Sequence, residues 1–151
     1  MRRVLIFSVV ALLCLGCTNR EQEKAQVVEA ARGYLEAVGN YRFDEAVPYS
    51  SQQTVEKTLD VFNRLMKFTD TAYVSSNTPA EITITGAKVL SRNTAVAYYH
   101  KHTPITEQDD SVTVVKEDGR WLVDDRVQEP AILNYLEGHP TVVNLADTVG
   151  K

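Results

Sequence analysis

Apolar residues recur early in the chain at the spacing of an amphipathic helix. From Ala25 they fall on one side of a repeat of about 3.6 residues, and the pair Gly39-Asn40 supplies a stop signal. The positions that share this side are Val28, Ala31, Leu35 and Val38. The pattern therefore predicts a first helix that starts at Ala25 and stops at Gly39.

Two further helical patterns follow. Phe43 to Tyr49 predicts one or two short turns, because Asp44 can cap their start and Pro48 ends them. A third helix is predicted from about Ser51 to Phe68. Its buried side would consist of Val55, Leu59, Phe62, Leu65 and Met66. The first half of the chain is thus predicted to be helical.

After Thr71 the pattern changes to that of β-strands. Ile82 to Leu90 and Thr94 to Thr103 form two such segments, and the second is rich in Val, Thr and Tyr. The polar tripeptide Ser91-Arg92-Asn93 separates them. We therefore predict that the two segments pair as a hairpin.

A second hairpin is indicated by the dipeptide Asp118-Gly119, which suits a type I′ turn with positive φ angles. Its strands would be Val112 to Lys116 and Trp121 to Val127. Pro130 fits the first turn of a small helix through Leu136, which Gly138 closes. The last residues, 138–151, could be either a docked strand or a frayed end.

Helices followed by strands predict an α+β fold, with N-terminal helices packed on one face of a curved antiparallel sheet. The chain has 151 residues, which is enough for one domain with a core of its own. We assign this domain to residues 25–137, with residues 138–151 as a C-terminal tail.

Residues 1–16 have the layout of a secretory signal. Arg2 and Arg3 are followed by an apolar run, and the small residue Gly16 directly precedes Cys17. The segment resembles a bacterial lipobox, in which the cysteine is acylated and the peptide before it is removed. The resemblance therefore implies lipidation at Cys17.

Two alternatives to this interpretation exist. Cys14 stands where a lipobox usually has Leu and is a rival acylation site, but it follows Leu13, which is too bulky for the residue before the scissile bond. An uncleaved transmembrane anchor would need about 20 apolar residues, and the run from Val4 to Leu15 is shorter. We favour cleavage before Cys17, with residues 17–24 as a polar tether.

Cleavage at this point would change the chemistry of the chain. It would leave no thiol for a disulfide, since Cys14 and Cys17 are the two cysteines. The formal net charge would fall from −4 to −6, because Arg2 and Arg3 are lost and no acidic residue is. An acidic chain without a basic cluster argues against nucleic acid as a partner. The expected membrane contact is through the N-terminal lipid.

Four segments carry a resemblance to a known fold. They are residues 31–37, 43–46, 93–98 and 116–123, with the sequences ARGYLEA, FDEA, NTAVAY and KEDGRWLV. Together with their order they resemble small bacterial lipoproteins of unknown function with a domain similar to nuclear transport factor two, ketosteroid isomerase and scytalone dehydratase. The resemblance covers about Ala25 to Val127, and it implies a curved sheet that wraps a helix and leaves a pocket. None of the four segments is a catalytic motif.

Within that resemblance Asp125 is a candidate base, because the isomerase relatives use a carboxylate in the cone as a proton shuttle. Alternation along the strand places it on the side of Trp121, which would be the inner side. The other interpretation is that Leu122 marks the inner side and Asp125 is solvated or paired with Arg120 or Arg126. We favour this second interpretation.

Other candidate side chains lie on the preceding strand. Tyr98 and Tyr99 are adjacent, so one of them faces the core, where its hydroxyl could orient a ligand. His100 and His102 share a face and could hold a metal, although zinc would need a third ligand from Asp109, Asp110 or His139. For both pairs we favour structural roles, namely packing for the tyrosines and solvent exposure for the histidines.

The expected function follows from these features. The chain contains no Gly-x-Ser-x-Gly elbow and no phosphate-binding glycine loop, and no cofactor is implied. We expect a non-catalytic lipoprotein of the cell envelope, held at the outer membrane, that binds a small apolar ligand or another envelope protein. The alternative is a pocket enzyme of the isomerase or dehydratase type that uses Asp125 with Tyr98 or Tyr99.

Overall fold

A computed structural model describes the backbone of residues 4–126 and the side chains of residues 19–126. The side chains of Cys14 and Cys17 therefore lie outside the described residues. The same holds for the predicted helix from Pro130 to Leu136 and for the tail, residues 138–151. In the described part of the chain, no helix is long and apolar enough to cross a membrane.

The helical half begins with α1, Val4–Gly39, and continues with α2, Phe43–Ala46, and a 3-10 turn, Val47–Tyr49. Residues 52–66, labelled α3, are helical throughout, with a π-helical segment at Val55–Leu59 between two α-helical segments. A short helix, α4, spans Thr71–Asn77. The first three predicted helical segments are confirmed, whereas α4 was not predicted.

Helix α1 starts well before Ala25, so the polar residues after Cys17 are helical. Glu, Gln and Lys in this stretch are good helix formers. Glu23 also contacts the sheet, where its carboxylate accepts a hydrogen bond of 2.9 Å from Lys116 Nζ. Helix α1 therefore already contacts the sheet at Glu23, two residues before Ala25, where the apolar pattern begins.

The second half is an antiparallel meander of four strands in the order β1-β2-β3-β4. The strands are β1, Glu81–Val89; β2, Thr94–Thr103; β3, Thr106–Glu117; and β4, Arg120–Val123. Asp118 and Gly119 have φ angles of 49° and 79°, as a type I′ turn requires. Both predicted hairpins are confirmed, although β4 ends at Val123, before the predicted end at Val127.

One face of this sheet packs against the helices, and α1 contacts all four strands. We call this face the inner face. Its buried residues are Ala95, Ala97, Val112, Val114, Trp121 and Val123. From α1 the core receives Val27, Ala31, Tyr34 and Leu35. The protein thus has the predicted α+β fold, with helices packed on an antiparallel sheet.

Candidate functional site

Asp125 follows β4 on the inner face, next to the C-terminal end of the strand. Its carboxylate accepts a hydrogen bond of 2.8 Å from the hydroxyl of Tyr34, a residue of α1 that is 0% exposed. Trp121 and Val123 are buried while Leu122 between them is half-buried, so the side of Trp121 is the inner side. The expectation that Leu122 marks the inner side is therefore wrong.

Neither Arg120 nor Arg126 pairs with Asp125, so that part of the expectation is wrong as well. Arg126 pairs with Asp124, with 2.8 Å between Nη2 and Oδ2, and Arg120 donates instead to the carbonyl oxygen of Pro48. Asp125 itself is half-buried. Among the residues that the structure describes, its side-chain partner is the hydroxyl of Tyr34, and no cation pairs with it.

Buried hydroxyl groups of α3 fix the backbone around Asp125. Thr54 Oγ1 accepts a hydrogen bond of 2.9 Å from the Asp125 N–H and donates one of 3.0 Å to the Val123 carbonyl. Thr58 Oγ1 donates to the Asp125 carbonyl at 2.6 Å. Because Thr54 and Thr58 are four residues apart, they share one face of the helix. The position of the carboxylate is thus set by helix and strand together.

Burial is the main cause that raises the pKa of Asp125 above its ordinary range. The negative charges of Asp110 and Asp124 raise the pKa further, whereas the hydrogen bond from Tyr34 lowers it. The pKa of Tyr34 is raised as well, first by burial and then by the charge of Asp125. The pair therefore combines a carboxylate that holds its proton more tightly with a hydroxyl that stays protonated.

Tyr99 joins this group, and Tyr98 does not. Tyr99 lies on the inner face, where burial and the charges of Asp110 and Asp125 raise its pKa to about 12. Tyr98 points to the other side of the sheet and is 46% exposed. Of the two predicted tyrosines the structure thus brings Tyr99 near Asp125, and we call Tyr34, Tyr99, Asp110 and Asp125 the polar cluster.

An apolar pocket of about 130 Å³ lies beside this cluster. It is formed where the end of α1 meets α2, α3, α4 and β2, and we call it the aromatic pocket. Its lining residues are Val38, Gly39, Tyr41, Phe43, Phe62, Leu65, Met66, Thr69, Tyr73 and Lys101. Lys101 comes two residues after Tyr99 on β2, so it shares the inner face with the cluster.

Ring contacts hold the walls of the pocket together. Phe43 stacks on Phe62 with 5.4 Å between the ring centroids. Tyr41 meets the edge of Phe43 at 6.2 Å and that of Tyr73 at 6.4 Å. These contacts join α2, α3 and α4 around one space, so the aromatic pocket is a feature of the packed helices.

The predicted histidine pair lies on the outer face of β2. His100 Nδ1 is 2.9 Å from Asp109 Oδ1, and His102 Nδ1 is 3.2 Å from Glu107 Oε1, so each ring pairs with a separate carboxylate. Among the residues that the structure describes, no three His, Cys, Asp or Glu side chains are grouped to hold a metal ion. His139 lies outside the described residues.

Comparison with protein-family models, with curated protein sequences and with solved structures gives no match to this chain. The geometry of the polar cluster and the aromatic pocket is therefore the evidence from which a function can be argued.

Proposed function

We propose that this protein is a lipid-anchored module of the cell envelope that binds a small apolar ligand in the aromatic pocket. The lipobox-like segment before Cys17 supports the lipid anchor. Some lipoproteins are retained at the inner membrane by an aspartate directly after the acylated cysteine. This chain has Thr18 at that position, which supports a location at the outer membrane. The observation that carries the binding function is the aromatic pocket itself.

Three properties of the pocket support a ligand. It is concave, and its walls are mainly aromatic and aliphatic with few polar groups, as in many small-molecule sites. Its volume of about 130 Å³ is similar to that of an apolar cavity of about 150 Å³ that accepts benzene. We therefore expect the apolar part of the ligand to be about one ring in size.

Met66 provides a test of binding, because the chain has two methionines and Met1 would leave with the signal segment. Labelling the methionine methyl groups with ¹³C then gives one resonance that lies in the pocket wall. We expect titration with benzyl alcohol to shift this resonance in a saturable way. Leu65→Trp, which fills the pocket, should abolish the shift, and the exposed neighbour Arg64→Trp should not. A Met66 signal that does not respond to the probe would refute the proposal.

The anchor has a separate test. Intact mass spectrometry of the membrane-extracted protein should show acyl chains on the wild type and on Cys14→Ala, and none on Cys17→Ala. Acyl chains on the Cys17→Ala protein would contradict the assignment of Cys17.

The inward position of Asp125 favours a second candidate function, that of a pocket enzyme of the isomerase or dehydratase type. Tyr34 donates to the carboxylate, whose raised pKa suits a base that takes a proton from carbon. Tyr99 could donate to a carbonyl oxygen. The test is exchange of the α-protons of cyclohexanone in D₂O. If the wild type exchanges the α-protons faster than background and Asp125→Asn abolishes this exchange, the result supports the enzyme. If the wild type exchanges them only at the background rate, the result rejects the enzyme for simple ketones.

A further inference from the structure

Lys101 is the charged residue among those that line the aromatic pocket. It is half-buried, and burial lowers the pKa of its ammonium group. Among the residues that the structure describes, none forms an ion pair with Lys101, whereas Lys116 on the next strand pairs with Glu23 at 2.9 Å. The pocket therefore holds a partly desolvated positive charge that lacks a described counter-charge.

A partly desolvated charge of this kind is stabilised when an anionic ligand pairs with it. We propose that the ligand of the aromatic pocket is a small carboxylic acid, with its carboxylate bound by Lys101 and its apolar body between the aromatic side chains. This inference rests on the proposed function, because it names the class of ligand for the same pocket.

The balance of charge favours a carboxylate over a phosphate. One ammonium group matches one negative charge, whereas a phosphate dianion is usually bound by several donors or by arginine. Lys101 is the described cation of this pocket, and the nearest acidic residue on its face, Asp110, belongs to the polar cluster. The volume of about 130 Å³ restricts the apolar body to about one ring.

The test compares benzoate with benzyl alcohol, which have the same ring and differ in charge. Both are titrated into the full protein purified from its membrane, at neutral pH, with the Met66 methyl resonance as the readout. We expect benzoate to bind about tenfold more tightly, since a hydrogen bond to a charged group contributes at least that much. Lys101→Gln should remove this preference, whereas Lys88→Gln, on the outer face of β1, should retain it.

Each outcome has a definite meaning. Equal binding of the two probes to the wild type would overturn the carboxylate inference and leave the proposed function intact. A preference for benzoate that persists in Lys101→Gln would overturn the role of Lys101. No response of Met66 to either probe would overturn both the inference and the proposed function. Unchanged binding of benzyl alcohol to Lys101→Gln shows that the variant has kept its pocket.

Discussion

Tyr34 and Asp125 shift each other's pKa, because they share a hydrogen bond of 2.8 Å across 91 residues of sequence. The hydroxyl stabilises the charged form of the carboxylate, and burial opposes this effect. Burial is the larger cause, so the pKa of Asp125 is raised even with its donor in place. Removal of the hydroxyl should therefore destabilise the protein at neutral pH, whereas removal of the carboxylate charge should stabilise it.

Tyr34→Phe removes the hydrogen bond that lowers the pKa of Asp125 and leaves the burial. We expect the pKa of Asp125 to rise further and the free energy of unfolding at neutral pH to fall by about 2 kcal/mol, as for a bond to a charged group. The pKa is measured from the ¹³C shift of the Asp125 carboxyl carbon against pH. Tyr98→Phe, on the exposed side of β2, is the control that should change neither quantity, and a lowered pKa in Tyr34→Phe would contradict the assignment.

Asp125→Asn should stabilise the protein, and more so as the pH rises. Because burial raises the pKa of Asp125 in the folded state above the ordinary value of an aspartate, the folded state binds more protons than the unfolded state between the two pKa values. Wild-type stability therefore falls as the pH rises through the folded pKa, and Asp125→Asn lacks this loss. We expect a gain of about 1 kcal/mol at pH 7, as for other stabilising substitutions at functional sites, and a smaller gain in acid.

Urea denaturation at a series of pH values measures this difference. Asp118→Asn is the control, since Asn-Gly suits the same turn as Asp-Gly. A difference between Asp125→Asn and the wild type that did not vary with pH would show that the carboxyl group does not titrate differently in the folded state.

At the residue scale, the sequence indicated some members of the site and missed others. Alternation placed Asp125 on the side of Trp121, but it could not decide which side was inner, since Leu122 is also apolar. Tyr34 was missed, although it lies three residues after Ala31 and four before Val38, which is the spacing of the buried side of α1. Its partner could not be predicted, because the contact depends on how α1 crosses the sheet.

Among the elements, α3 is joined to the end of β4 by hydrogen bonds from hydroxyl groups. Ser51, Thr54 and Thr58 are buried, and Thr54 Oγ1 bonds both the Val123 carbonyl and the Asp125 N–H. A prediction of the buried face of a helix from apolar residues alone does not include buried Ser and Thr. The sequence therefore predicted α3 correctly but not the side of it that holds the site.

Thr54→Val keeps the shape of the side chain and removes its hydrogen bonds to the Asp125 N–H, the Val123 carbonyl and Ser51 Oγ. The Asp125 N–H would lose its partner, whereas the Val123 carbonyl would keep the hydrogen bond of 2.8 Å from the Ser51 N–H. An unpaired buried group costs about 1–3 kcal/mol. We expect a loss of this size in urea denaturation, with faster hydrogen exchange of the Asp125 amide. Thr83→Val, on an exposed position of β1, is the matched control and should be close to neutral. Unchanged exchange at Asp125 would mean that α3 does not hold the end of β4.

Two elements differ from the prediction for local reasons. Helix α4 consists largely of Thr, Ser and Asn, which have low helix propensity, but the Asp70 carboxylate caps it by accepting from the Ala72 N–H at 2.9 Å. The first half of β3 is polar and exposed, so it has no apolar alternation, and it is extended because it pairs with β2. Both elements depend on partners that a single segment does not reveal.

At the scale of the whole molecule, the two ends of the domain differ. Helix α1 enters at the end where Glu23 contacts Lys116, and a cleft at this end is lined by Arg20, Lys24 and Arg92. The opposite end carries the turn at Ile105 and, close to it on β2, Lys101 of the aromatic pocket. Since β2 has 10 residues, the ends are separated by about 30 Å.

This arrangement predicts how an anchored protein would face its membrane. If Cys17 is acylated, six helical residues, or about 9 Å of helix, separate it from Glu23, and the pocket end points away from the lipid. The acylated chain has no free thiol, so a fluorophore can be placed at Arg92→Cys or at the exposed Ile105→Cys. We expect energy transfer to acceptor lipid headgroups to be strong from position 92 and weak from position 105. Equal transfer would show that residues 17–24 do not hold the domain in one orientation. Unequal transfer would show that the aromatic pocket faces the aqueous phase, where it is open to ligands.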